Sequence, residues 1–177
     1  MGVYEETLAA NTQYAATFDL GHLPMPPSRR LAIVACMDAR LMPDQFFGLK
    51  TGEAHVIRNA GGLATEDALR SLVISTKLLG TRTIYVVAHT DCGMLTFTDD
   101  QLRQQLKTET GKDASHLEFL AFSDLDASVR RQLQRIRENP FLPKDIDLHG
   151  FVYDVRSGRL REIRQDSAEA RAALSSG

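Results

Sequence analysis

The chain has 177 residues, 43% apolar and 25% charged, with a formal net charge of -2, the make-up of one globular domain able to bury a single core. That balance gives no electrostatic basis for binding nucleic acid or an anionic membrane, and the basic group Arg130, Arg131, Arg135 and Arg137 is interspersed with Gln and Glu, as on a solvated helix face. No run reaches the roughly 18 apolar residues of a membrane helix, and acidic Glu5 and Glu6 stand where a secretory leader carries base, so the expected location is the cytoplasm.

From Tyr4 to Asp19 the chain carries alanines, early acidic residues and neither Gly nor Pro, which predicts a helix ended by Gly21. The segment Leu23-Pro24-Met25-Pro26-Pro27 is barred from continuing it. Residues 1–28 are thus expected to form a helix and extended arm, laid either on a partner subunit or around the chain's own core. Leu31 to Ala35 is a continuous apolar run bounded by polar residues, the pattern of a strand buried on both faces. Thr83 to Ala88 repeats that character with more β-formers, and His55-Val56-Ile57 reads as a shorter strand. Thr65 caps a predicted helix over Glu66 to Leu79, with Leu69, Leu72, Val73 and Thr76 on one face and Gly80 as its stop.

A further long helix is predicted to begin near Ser115, its later part aligning Leu125, Val129, Leu133 and Ile136 before Asn139-Pro140. Phe151 to Val155 and Leu160 to Ile163 flank Ser157-Gly158 as a hairpin, and Asp166 to Gly177 reads as a short helix or frayed end. Strands alternating with helices predict an α/β fold, a mostly parallel central sheet flanked by helices with the hairpin at an edge. No repeat or linker divides the chain, so residues 1–177 are expected to form a single domain.

The two cysteines, Cys36 and Cys92, are far apart, and in a reducing compartment they are buried small side chains, metal ligands or a nucleophile. Their setting narrows this. One predicted strand runs into Cys36-Met37-Asp38-Ala39-Arg40 and another into His89-Thr90-Asp91-Cys92-Gly93. Parallel strands deliver both ends to the same sheet edge, where ligands bind in open α/β folds. Two thiolates and an imidazole brought together there suit Zn²⁺ and leave a fourth tetrahedral position open. His-x-x-Cys alone is a weak signal, and buried structural residues are the alternative.

Cys-x-Asp-x-Arg after one strand and His-x-x-Cys-Gly after a later one resemble the paired motifs of the β-class carbonic anhydrases. Gly52 to Gly62, with its Gly-Glu-Ala start and Arg58-Asn59, is similar to the segment that family carries between them. The likeness runs from about Leu31 to Asp100, and the pattern looks like the compact microbial branch. It implies one zinc ion per subunit on Cys36, His89 and Cys92, with Asp38 and Arg40 as the catalytic dyad. An Arg fork can hold the carboxylate oriented and ionised. The implied reaction is reversible hydration of carbon dioxide to bicarbonate by hydroxide on zinc, in a homodimer or dimer of dimers with exchanged N-terminal helices.

In some relatives the matching Asp moves onto zinc as a fourth ligand, so Asp38 is also a conditional ligand, with closure expected at low pH. His55 replaces an aromatic of the plant pattern and reads as a proton shuttle or as a strand histidine hydrogen-bonded in the core or an interface. Gly61 and Gly62 allow close backbone approach to an anion such as bicarbonate or, equally, a plain tight turn. The amide of the plant pattern falls near Pro27, which offers no such contact, and His22, His116 and His149 read as surface or capping residues. The same scaffold also implies a rival, hydrolysis of carbonyl sulfide or carbon disulfide, decided by pocket residues such as Phe46, Phe47, Leu49 and Leu63. A second rival is a non-catalytic zinc-binding or redox-sensing protein, against which the presence of both Asp38 and Arg40 counts.

Overall fold

The computed structural model describes residues 2–164. Helix α1 (Val3–Ala16) opens the chain, and an extended arm leads to β1 (Leu31–Cys36) and a short turn of helix, α2 (Pro43–Phe46). Then follow β2 (Ala54–Asn59), α3 (Glu66–Lys77), β3 (Thr83–His89), a 3₁₀ turn (Gly93–Leu95), α4 (Asp99–Thr110), α5 (Leu125–Glu138), β4 (Asp147–Tyr153) and β5 (Leu160–Ile163). The strands form one sheet in the order β2-β1-β3-β4-β5. β1 runs parallel to both β2 and β3, β3 runs parallel to β4, and β5 returns antiparallel at the edge. The expected α/β architecture with its edge hairpin is therefore present.

Alternation along the strands divides the core in two. Ala32, Val34, Ile84 and Val86 face α3 and α5, meeting Leu69, Leu72, Val129, Leu133 and Ile136. Leu31, Ile33, Ala35 and Val87 face the other way, against Phe46, Phe47, Tyr85 and Phe151. All six residues of β1 are buried, as its unbroken apolar run requires. Gly150 lets α5 lie close on β4, because a Cβ there would stand 2.5 Å from Cγ1 of Val129.

Thr65 caps α3 by accepting the Ala68 amide, as expected, and Gly80 at φ 75 follows its end. The helix expected from Ser115 is corrected: α5 begins at Leu125 under the Asp124 cap, and the residues before it are turn and loop. The helical residues upstream are those of α4, which sequence periodicity missed because it buries none of its side chains. Its capping box at Thr98 and Gln101 and its left-handed Gly111 were the available signals. β4 also starts earlier than expected, at Asp147, where it pairs with Thr83. The expectation for Asp166 to Gly177 lies outside the described residues.

Candidate metal centre

β1 and β3 end side by side and deliver Cys36 and His89 to one edge of the sheet, while Cys92 follows in the loop after β3. The ligand atoms of Cys36, His89 and Cys92 all lie within 4.8 Å of one another, and all three residues are buried. Nδ1 of His89 lies 2.9 Å from the Thr90 carbonyl oxygen. A carbonyl only accepts, so Nδ1 carries the proton and Nε2 presents its lone pair. That Nε2 is buried and, among the described residues, has no hydrogen-bond partner. An orphaned acceptor between two buried sulfurs is costly unless a cation meets it, so the trio fits a metal ion, and its donor set suits Zn²⁺.

A hydrogen bond from Cys92 is the largest influence on Cys36 and draws its thiol below the ordinary range against the opposing effect of burial. The same bond, reinforced by burial, pushes Cys92 up. The Gly61 amide also donates to Cys36 Sγ at 3.4 Å. Burial disfavours a charged His89, but Cys36, the Thr90 carbonyl and Asp38 together outweigh that effect and shift the imidazole upward.

Around the trio the loops are tied by arginines. Arg40 grips both oxygens of Asp38 through Nε at 2.9 Å and Nη2 at 2.8 Å. This fork, the largest influence on Asp38, holds its carboxyl well below the usual carboxylate range. Asp38 Oδ2 lies 3.8 Å from His89 Nε2, so the ionised carboxylate faces the space the metal would fill. Arg40 also reaches across to the second loop, donating to Asp91 Oδ2 at 2.7 Å and to its carbonyl at 3.0 Å. From β2, Arg58 donates to the carbonyls of Cys36 at 3.0 Å and Asp38 at 2.7 Å.

Residues 31–160 match the carbonic anhydrase family profile. The chain belongs to the β-carbonic anhydrase family. It is 52% identical over 163 residues to Beta-carbonic anhydrase 1 of Mycobacterium tuberculosis, a match covering 92% of this chain and 99% of that one. To the carbon disulfide hydrolase of Acidianus sp. (strain A1-3) it is 35% identical over 164 residues, covering 80% of each. The solved carbonic anhydrase of Streptococcus mutans superposes with a TM-score of 0.89 at 44% identity, covering 93% of this chain and 99% of that one.

In this β-carbonic anhydrase family member, Cys36, His89, Cys92, Asp38 and Arg40 converge, whereas His55 stands apart. His55 lies four residues before Asn59, the β2 partner of Cys36, about 13 Å back along the strand. There its Nδ1 is 2.8 Å from Ser75 Oγ, which in turn lies 2.7 Å from Thr81 Oγ1. The structure therefore shows His55 as a hydrogen-bonded strand histidine. The amide of Gly61 is engaged by Cys36 and that of Gly62 by the Asn59 carbonyl, so neither is free to cradle an anion. Gly62 is instead a close-approach residue, since a Cβ would stand 2.7 Å from the Val87 carbonyl oxygen and 2.9 Å from the Cys36 amide.

Arg58, Asn59 and Asp91 take parts in the site that the sequence alone does not show. Asn59 folds the following turn by accepting the Leu63 amide and donating to its carbonyl. The motif positions of Arg58 and Asn59 were visible. Asp91 gave no signal, because its link to Arg40 joins positions 51 residues apart.

Proposed function

We propose that the protein catalyses reversible hydration of carbon dioxide to bicarbonate, using one zinc ion per chain held by Cys36, His89 and Cys92. The observation that carries this reading is the buried trio with an orphaned His89 Nε2, set 3.8 Å from a carboxylate kept ionised by Arg40. When bound there, zinc supplies Lewis acidity that makes a water nucleophilic near neutral pH. Asp38, acceptor-only in the grip of Arg40, would accept a hydrogen bond from such a water and orient it toward the substrate carbon. Because Arg40 holds it below the usual carboxylate range, Asp38 is too weak a base to retain a proton. The proton released as water adds to carbon dioxide therefore passes on to solvent buffer.

A second reading is supported by the 35% identity to a carbon disulfide hydrolase. Carbon disulfide and carbonyl sulfide are linear like carbon dioxide, and the same donor trio would serve their hydrolysis. The 52% identity to a protein named Beta-carbonic anhydrase 1 supports the hydration reading over it. A non-catalytic zinc-binding or redox-sensing role is the least supported, because it leaves the Asp38 and Arg40 dyad without a use.

The reading extends to a homodimer or dimer of dimers with exchanged N-terminal helices. α1 buries none of its residues, and Val3, Tyr4, Leu8 and Tyr14 stand exposed along it. A second copy of the chain supplies the missing cover. Among the described residues no helix is long and apolar enough to cross a membrane, and action on a small dissolved substrate in the cytoplasm accords with that.

The deciding experiment puts zinc-loaded protein through carbon dioxide hydration, carbonyl sulfide hydrolysis and carbon disulfide hydrolysis, with Cys92→Ser as blank. Fast hydration with little sulfide release is expected. Sulfide release with poor hydration would replace the first reading by the second. Light scattering of the full chain and of a form lacking residues 1–18 reads the assembly, and loss of the dimer in the shorter form is expected.

A further inference from the structure

The segment leading from α4 to α5 packs behind the metal centre, and one carboxylate sets its path. Asp99, the first residue of α4, accepts the backbone amides of Phe119 at 2.9 Å, Leu120 at 3.2 Å and Ala121 at 2.9 Å. Successive amides turned inward on a carboxylate form an anion nest. Arg103, one helical turn on, lies 3.6 Å from the same carboxylate and donates to the Leu117 carbonyl at 2.8 Å. Leu120 sits at φ 61, a conformation a bulky residue adopts only when its surroundings impose it.

Phe122 follows directly on the three gathered amides. The Phe122 amide donates to the Met94 carbonyl at 3.3 Å. Its side chain is buried in the same apolar cluster as Cys36, Cys92, Leu63 and Met94. Cε1 of Phe122 lies 3.1 Å, and Cγ of Met94 3.3 Å, from where a Cβ on Gly61 would stand. The Gly61 amide in turn donates to Cys36 Sγ. Asp99 and Phe122 also line one cavity of about 440 Å³, together with Leu95 and Phe97 among others.

We propose that Asp99 is a positioning residue of the metal centre: by gathering the 119–121 amides it seats Phe122 against Gly61 and Met94 and so governs metal loss and thiol access from the rear. Without the anion the three amides turn to water, the Leu120 turn relaxes, the ring withdraws and solvent reaches the sulfurs. Metal retention in this proposal rests on the zinc reading above, whereas protection of the thiols does not.

The test uses the full-length chain as wild type, Asp99→Asn, Phe122→Ala, Phe122→Leu and Ile136→Val. The last loosens the helix-side core without touching the cover. One arm follows zinc transfer from loaded protein to a coloured chelator. The other follows modification of Cys36 and Cys92 in metal-free protein by an aromatic disulfide.

Asp99→Asn and Phe122→Ala are expected to accelerate both by about tenfold or more, the scale of second-layer effects on metal sites. Phe122→Leu is expected to restore protection, and Ile136→Val to stay within about twofold of wild type on the same scale. Wild-type rates in Asp99→Asn, or equal acceleration by Ile136→Val, would overturn the proposal. Should Phe122→Ala not fold, Asp99→Asn and Phe122→Leu decide the matter. If the wild type takes up no zinc, the function reading falls, and the thiol arm still settles the role of Asp99.

Discussion

The strand-end loops and the N-terminal helix belong to one chain but are completed in different ways. At the strand ends, Arg40 ties Asp38 to Asp91 and Arg58 holds the carbonyls of Cys36 and Asp38, so the donor trio is braced from within. Among the described residues, helix α1 has only local bonds, such as the Gly2 amide to Glu5 and the Thr7 and Thr12 hydroxyls to carbonyls one turn back. Its 14 residues bury nothing, and a helix of that length is marginal in water without tertiary cover. The donor trio is therefore braced by bonds within its own chain, whereas α1 has no such bracing among the described residues.

That contrast can be broken most severely at the ligands. His89→Ala is expected to empty the centre and reduce hydration to the uncatalysed rate, read by elemental analysis and stopped-flow. Full zinc content in this variant would show that the trio is not the site. Next in size is Asp38→Asn, which keeps the shape but loses the oriented anion. A fall of about 10²–10³-fold in kcat/KM is expected at unchanged zinc content, the scale of one preorganised electrostatic contact. An unchanged rate would leave the Arg40 fork a purely structural clasp.

Leu133→Ala probes the core beneath the loops rather than the loops themselves. With Leu133 fully buried, a loss of about 2–5 kcal/mol is expected, seen as a fall in Tm of roughly 2–4 °C per kcal/mol. A loss below 1 kcal/mol, on that same scale, would mean the helix-side core repacks freely.

The smallest effect is pH-linked and concerns Asp99. Burial opposes its ionisation, but the amides of Ala121, Phe119 and Leu120 outweigh burial and hold its carboxyl below the usual range. A depressed folded-state pKa adds stability that is present above the unfolded value near pH 4 and lost as pH falls through the folded value. Asp99→Asn should therefore cost about 1–3 kcal/mol at pH 5 to 8, and the gap to wild type should narrow in denaturant titrations below about pH 4. A gap that widens on acidification would reverse the sign and remove the nest from the account.

How much could be read beforehand follows the same division. Cys36, His89 and Cys92 were legible because parallel strands must finish on one edge and their apolar runs marked where each ends. Thr65 was legible because a cap acts within its own turn. Helix α4 was not, since with no buried side chain it carries no apolar stripe. Nor were Asp91 and Asp99, whose partners Arg40 and the 119–121 amides come from distant parts of the chain. His55 was legible as a strand residue but not as a neighbour of Ser75, which depends on where α3 comes to rest.

The complete burial of β1 has a consequence for the chain before it folds. Leu31 to Cys36 is a β-prone run without Pro or Gly, the kind of segment that associates with copies of itself when exposed. Arg29 and Arg30 stand before it and Asp38 and Arg40 after it, while Arg82 and Asp91 flank β3 in the same way. Charges so placed act as gatekeepers against aggregation. Asp38 and Arg40 thus stand where they can guard a nascent strand during synthesis, and substitutions there would register in refolding yield at high concentration as well as in turnover.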